Sequence, residues 1–162
     1  DQSVKGTLTV EKKAATVEIG NTTQTYSGGE LLVSTTTSVN NLKVDVTYTL
    51  GGVVVASPSN AGTYAVSAVI NNANYSGNAN GTLKIEKADA TVTLGSLTQT
   101  YTGSPLGASA VTDPVGLTVD FTYSVVDPTD AGTYSVTGAI DNVNYKPVAA
   151  KKKIFRTIVL NS

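Results

Sequence analysis

The chain repeats itself, and this constrains the fold more than any other feature of the sequence. Residues 6–48 align with residues 81–123 at an offset of 75, and 22 of the 43 positions are identical. Pro58 to Tyr75 then matches Pro128 to Tyr145 at an offset of 70, so five residues are missing from the second copy between Tyr123 and Pro128. A repeat is one supersecondary unit built more than once, so the deletion has to fall in a loop or a hairpin. All eight tyrosines pair between the copies: Tyr26 with Tyr101, Tyr48 with Tyr123, Tyr64 with Tyr134, Tyr75 with Tyr145. They are constants of the module. The match begins at Gly6-Thr7-Leu8, equivalent to Gly81-Thr82-Leu83, and the latter segment closes one repeat before Glu86-Lys87 leads into the next. Residues 1–13 are therefore expected to be the closing strand of a preceding repeat or the N-terminal strand of module one. Module one is expected over 14–87 and module two over 88–162, and the chain reads as a piece of a longer tandem array.

The module is β-structure. Val44, Val46, Tyr48 and Leu50 alternate with Asp45, Thr47 and Thr49, the period of two expected when one face of a strand is buried. Val119, Phe121, Tyr123 and Val125 repeat the pattern, and a second face reads Tyr64, Val66, Ala68, Ile70 in one copy and Tyr134, Val136, Gly138, Ile140 in the other. Turn signals separate these runs at Ser27-Gly28-Gly29, Asn40-Asn41, Gly51-Gly52, Asn71-Asn72 and Asp113-Pro114. A β-grasp module would need a helix after Tyr26 or Tyr101, but Pro105, Gly107, Pro114 and Gly116 occupy that segment of the second copy and would break it. The expected fold is all-β, with two sandwich modules.

Composition removes most chemistry. The chain has no His, Cys, Met or Trp, which excludes imidazole acid/base catalysis, thiol nucleophiles, disulfides and Cys/His metal sites. With 14% charged residues and a formal net charge of −1 it offers no clustered positive surface for nucleic acid, and it contains no membrane span. No cofactor, catalytic residue or metal ligand is expected.

Asn60-Ala61-Gly62-Thr63-Tyr64-Ala65-Val66 returns as Asp130-Ala131-Gly132-Thr133-Tyr134-Ser135-Val136. It resembles the tyrosine corner of immunoglobulin-like sandwiches, in which the Tyr hydroxyl bonds back to the backbone. Val66 and Val136 stand where antibody domains place a Cys. Taken with Thr-Gln-Thr-Tyr-Ser/Thr-Gly, the Asn-Tyr after the next turn and the closing Gly-Thr-Leu-Lys-Ile-Glu-Lys, the chain is similar to the MBG-type repeats of bacterial surface proteins and adhesins from about residue 6 to 154. That resemblance implies tandem Ig-like modules of a large protein at a bacterial cell surface or secreted, without catalytic residues.

Each candidate site has a structural counterpart. Asp45 and Asp120 are equivalent and outward-facing, one per module, whereas glycoside hydrolysis needs two carboxylates across one substrate. Asp127 and Asp130 would suit Ca²⁺, but the first module answers with Ser57 and Asn60, which favours turn capping. Asn71, Asn72 and Asn74, with Asp141, Asn142 and Asn144, present amides beside Tyr75 and Tyr145 at a module end. They are turn residues first, and the best candidates for glycan contact. The run Lys151-Lys152-Lys153 is expected on a solvated edge strand. A Lys–Asn isopeptide would suit Lys12 or Lys87 but lacks an obvious buried acid. The apolar tail Ile154 to Leu160 departs from the Ile85-Glu86-Lys87 continuation and is expected to pair as a strand, prolonging the closing strand of module two or joining a neighbouring sheet.

Three functions remain: a structural spacer whose partners are adjacent repeats, a module binding host or environmental glycans or mucin, and an accessory domain of a secreted polysaccharide-degrading enzyme. Every Tyr is a repeat constant and no Trp is present, which favours the spacer. About six residues separate the strand around Leu83 and Ile85 from that around Val92 and Leu94, too few to fold one module back beside the other, so the modules are expected end to end. Small-angle scattering from the chain in solution is expected to report an elongated particle, and a compact, near-spherical profile would refute that arrangement.

Overall fold

The computed structural model describes the backbone of residues 3–157 and the side chains of residues 3–150. The chain divides into two compact units between Glu86 and Lys87. No helix is present among the described residues, and hence none that is long and apolar enough to cross a membrane.

In the first unit the strands are β1 (Lys13–Ala14), β2 (Val17–Gly20), β3 (Thr23–Thr25), β4 (Ser34–Thr37), β5 (Val44–Leu50), β6 (Val53–Val55), β7 (Gly62–Ile70), β8 (Tyr75–Ser76) and β9 (Asn78–Glu86). The larger sheet has the order β3-β9-β7-β5-β6, antiparallel except where β3 runs parallel to β9. The smaller sheet is the antiparallel pair β2-β4. Between the two layers lie Val17 against Ala68 and Ile70, and Tyr48, Tyr64, Val66, Leu83 and Ile85 with Ile19, Leu31 and Val33 packed around them. The period-two face of β7 is thus the centre of the core: Tyr64, Val66, Ala68 and Ile70 are all buried.

The second unit repeats this plan with β10 (Thr91–Gly95), β11 (Thr98–Thr100), β12 (Ser109–Asp113), β13 (Asp120–Tyr123), β14 (Thr133–Ile140) and β15 (Val148–Thr157). The order β11-β15-β14-β13 stands opposite β10-β12, and β11 is again parallel to its neighbour. The two units are all-β, sandwich-like modules in tandem.

The five-residue deletion has a structural identity. In the first unit Gly51 (φ 57°) and Gly52 (φ 85°) form the two-residue turn between β5 and β6, with both residues left-handed, the arrangement whose twist suits a hairpin. The second unit lacks β6, and β13 ends at Tyr123. The sequence pattern runs this strand on to Val125, but the ladder stops at Tyr123, and the last residue of the alternation is exposed in both units, Leu50 at 43% and Val125 at 51%.

Three other expectations are corrected. Tyr134 is half-buried where Tyr64 is only 2% exposed; among the described side chains the second unit's core has Leu94 and Val136 at its centre. Lys151, Lys152 and Lys153 lie on a strand that is not the edge of its sheet: they pair with Thr137, Val136 and Ser135 on one side, and β11 joins the other side of β15 beyond them, at Phe155 to Thr157. The third correction concerns register. Ile154 stands opposite Tyr134 as Leu83 stands opposite Tyr64, so it replaces Leu83 and not Ile85. Residues 154–157 prolong the closing strand, while residues 158–160 of the apolar tail lie outside the described residues.

Leu83 and Leu8 occupy equivalent sequence positions but opposite environments, 0% and 88% exposed. Leu83→Ala is expected to cost about 2–5 kcal/mol through lost transfer free energy and a residual cavity, while Leu8→Ala is expected to leave stability within about 0.5 kcal/mol. Urea denaturation of the two variants checks the pair.

Candidate functional site

The polar residues common to both modules are where a ligand site would be expected, and their geometry can be followed atom by atom. One continuous stretch serves both layers of each sandwich. It leaves the small sheet at Gly20, turns through Asn21 (φ 55°), and re-enters in the large sheet as β3; Gly95 and Ser96 (φ 54°) do the same between β10 and β11. A positive φ is costly for any residue with a Cβ, and Asn tolerates it better than Ser. The turn is held by the glutamine of the Thr-Gln-Thr motif. Gln24 Nε2 donates to the Asn21 carbonyl at 3.0 Å and to the Leu32 carbonyl at 2.9 Å. Gln99 Nε2 donates to Ser96 O at 2.7 Å and Gly107 O at 2.9 Å. Sequence reading singled out the motif and missed this role, because the acceptors are main-chain oxygens brought close only by the kink.

The tyrosines act in the same way. The Tyr48 hydroxyl accepts from Val33 N at 3.1 Å and that of Tyr123 from Ala108 N at 2.8 Å, tying β5 and β13 of the large sheets to the residue just before β4 and β12 of the small ones. Tyr64 donates to Asn60 O at 2.8 Å and Tyr134 to Asp130 O at 3.0 Å, which is the corner geometry that the repeated Gly-Thr-Tyr motif predicts. At a position as buried as Tyr64, 2% exposed, a hydroxyl left unpaired would cost about 1–3 kcal/mol.

The asparagine loops are similarly engaged. Asn72 Oδ1 accepts from Asn74 N at 2.8 Å and Tyr75 N at 3.1 Å; Asn142 Oδ1 accepts from Asn144 N at 2.8 Å. These side chains therefore build the turn. Their main chains receive the module's opening lysine: Lys12 Nζ donates to Asn72 O at 2.8 Å, Lys87 Nζ to Asn142 O at 3.0 Å. Lys12 and Lys87 meet main-chain carbonyls here, and the structure places no acid in these contacts. Asn71 Nδ2 donates to Asp45 Oδ2 at 2.6 Å. Asn71, Asn74 and Asp141 are exposed, Asn72, Asn142 and Asn144 half-buried, so each loop presents a thin polar rim and not a cleft.

No group of three His, Cys, Asp or Glu side chains is arranged to hold a metal among the described residues. Asp45 and Asp120 lie on exposed strand positions in separate units. Asp130 opens the corner ahead of Tyr134, and Asp127 takes a left-handed turn conformation (φ 48°) with its carbonyl accepting from the Thr129 hydroxyl at 3.0 Å. A shallow, open concavity of about 320 Å³ lies between Thr35 to Thr37 and Asn40 to Leu42. Module two has Ala110, Val111, Val115 and Gly116 in place of Thr35, Thr36, Asn40 and Asn41, so this polar lining does not repeat.

A family model described as an MBG domain matches the chain twice, over residues 15–89 and 90–154. No curated protein matches the chain.

Asp45 is held below the ordinary carboxylate range, first by its hydrogen bond with Lys43, which also forms an ion pair at 3.0 Å, and then by Asn71. Because the folded pKa is the lower one, any stabilisation is present above the unfolded carboxylate pKa and is lost as pH falls through the folded value. Carboxyl carbon shifts followed by NMR are expected to titrate Asp45 at lower pH in the native chain than in Lys43→Ala, with a smaller rise in Asn71→Ala.

Proposed function

Because the chain belongs to the MBG domain family, we propose that its two modules are non-catalytic spacer units of a large bacterial surface or secreted adhesin-like protein. One observation carries this reading. The side chains of Gln24 and Gln99, Tyr48 and Tyr123, Tyr64 and Tyr134, Asn72 and Asn142 all bond main-chain atoms of their own module, in matching geometry. The groups common to both modules hold the frame in register; they are not aimed at a shared ligand. Frame rigidity, in many copies, is what a stalk needs.

Glycan or mucin contact through the loops at Asn71, Asn72, Asn74, Asp141, Asn142 and Asn144 is the competing reading, and an accessory role beside a polysaccharide-degrading domain depends on it. The engagement of Asn72 and Asn142 within their own turns argues against both. Interfaces that bind tightly concentrate exposed aromatic anchors. Here Tyr48 and Tyr64 face the core.

Single-molecule stretching of the chain is expected to give two separate unfolding events, each releasing about 25 nm for a module of roughly 75 residues. A glycan and mucin array is expected to show no saturable binding. Saturable binding that Asn71→Ala or Asn74→Ala abolishes would replace the spacer reading with the glycan one.

A further inference from the structure

The structure leaves one strand-like segment without a sheet. Residues 6–12 read Gly-Thr-Leu-Thr-Val-Glu-Lys and residues 81–87 read Gly-Thr-Leu-Lys-Ile-Glu-Lys, five of seven identical, with Val10 in place of Ile85. In the second case the segment is β9, the strand on which module one closes: antiparallel to β7 on one side and parallel to β3 on the other, with Leu83 and Ile85 at 0% and 2% exposure. In the first case no strand forms over residues 3–12, and Val4, Leu8 and Val10 are 96%, 88% and 85% exposed. Alternating apolar side chains of this size are seldom left in water without a covering surface.

The attachment that follows the segment says which surface that is. Lys12 Nζ donates to Asn72 O and Lys13 N to Asn74 O; Lys87 Nζ donates to Asn142 O and Ala88 N to Asn144 O. The chain therefore enters module one at Lys12 by the same contacts with which it enters module two at Lys87. Ahead of Lys87 stands the closing strand of the module before it. Ahead of Lys12 stands residues 6–11. The closing positions of both modules present are already filled, by β9 and β15.

We propose that residues 4–11 are a donor strand for an MBG module not contained in these 162 residues, one that offers a β7-type and a β3-type edge and has no closing strand of its own. Leu8 and Val10 enter its core where Leu83 and Ile85 meet Tyr48, Tyr64 and Val66 in module one. Each module in such an array is closed by the segment that leads straight into the next, so a neighbour cannot be detached without opening a core. The proposal rests on the repeat plan and not on the spacer role: glycan binding would overturn that role and leave the donor strand untouched.

The test places a copy of residues 13–77, which lacks β9, directly before residue 3 of the full chain, and reads amide hydrogen exchange. Residues 7–11 are expected to exchange roughly a thousand-fold more slowly than in the chain alone, as protected core strands do. A second fusion carries residues 13–86 instead, so that the added module already has its closing strand; there residues 7–11 are expected to stay fast. Fast exchange of residues 7–11 in the first fusion, with the added module folded in the second, overturns the proposal. So does slow exchange in both fusions. Sedimentation of the unfused chain covers the remaining occupant, a second copy: a dimer lost on deleting residues 3–10 also overturns it.

Discussion

Each module hangs on one backbone turn. Asn21 in the first and Ser96 in the second take left-handed φ values, and this lets a single stretch of chain pair antiparallel in the small sheet and then parallel beside the closing strand of the large one. Burial between two facing sheets is non-directional and by itself fixes neither their register nor their spacing. The turn supplies the directional link, and the two hydrogen bonds from Gln24 or Gln99 hold it closed against its conformational cost. The hydroxyls of Tyr48 and Tyr123 add a second crossing between the layers, some distance from the first.

Given that link, the modules tolerate large differences elsewhere. The second has lost the β6 hairpin, has Gly138 where the first has buried Ala68, and closes on a strand containing three consecutive lysines. The Gly138 position explains part of the tolerance. A Cβ there would come within 2.7 Å of Leu94 and 3.1 Å of Val119, so the glycine makes room for a bulkier approach from the facing strands. Volume has been redistributed across the sandwich while its register stayed the same.

The module's tyrosines and amides also set what the surface can do. A binding surface needs groups with unsatisfied capacity held in place, and here Gln24, Tyr48, Tyr64 and Asn72, with Gln99, Tyr123, Tyr134 and Asn142, bond to the backbone of their own module. The asparagine loops were legible in the sequence as turns because Asn72 and Asn142 cap the turn locally, within three residues. The clamp on Gln24 was not legible, because its Leu32 acceptor is eight residues away, in the loop ahead of β4. The Lys43, Asp45 and Asn71 cluster was hidden for the same reason. Asn71 reaches Asp45 across 26 residues of chain, through the pairing of β5 with β7.

The sequence by itself determined the all-β class, the duplication, the buried face of β7 and its counterpart, and the tyrosine corner. All of these depend on periodicity or on turns a few residues long, where the local backbone decides the outcome. Only the tertiary structure decided which strand lies beside which. Lys151 to Lys153 read as an edge because charge on a strand usually marks one, yet β11 reaches that strand through the turn at Ser96, a pairing between segments more than fifty residues apart. Register was decided there too: Ile154 takes the place of Leu83 because Tyr134 stands opposite it, and no count along the chain reveals what stands opposite. The same physics separates Leu8 from Leu83. Their neighbours in sequence are nearly the same, and only the presence of a sheet on both sides buries one and leaves the other in water.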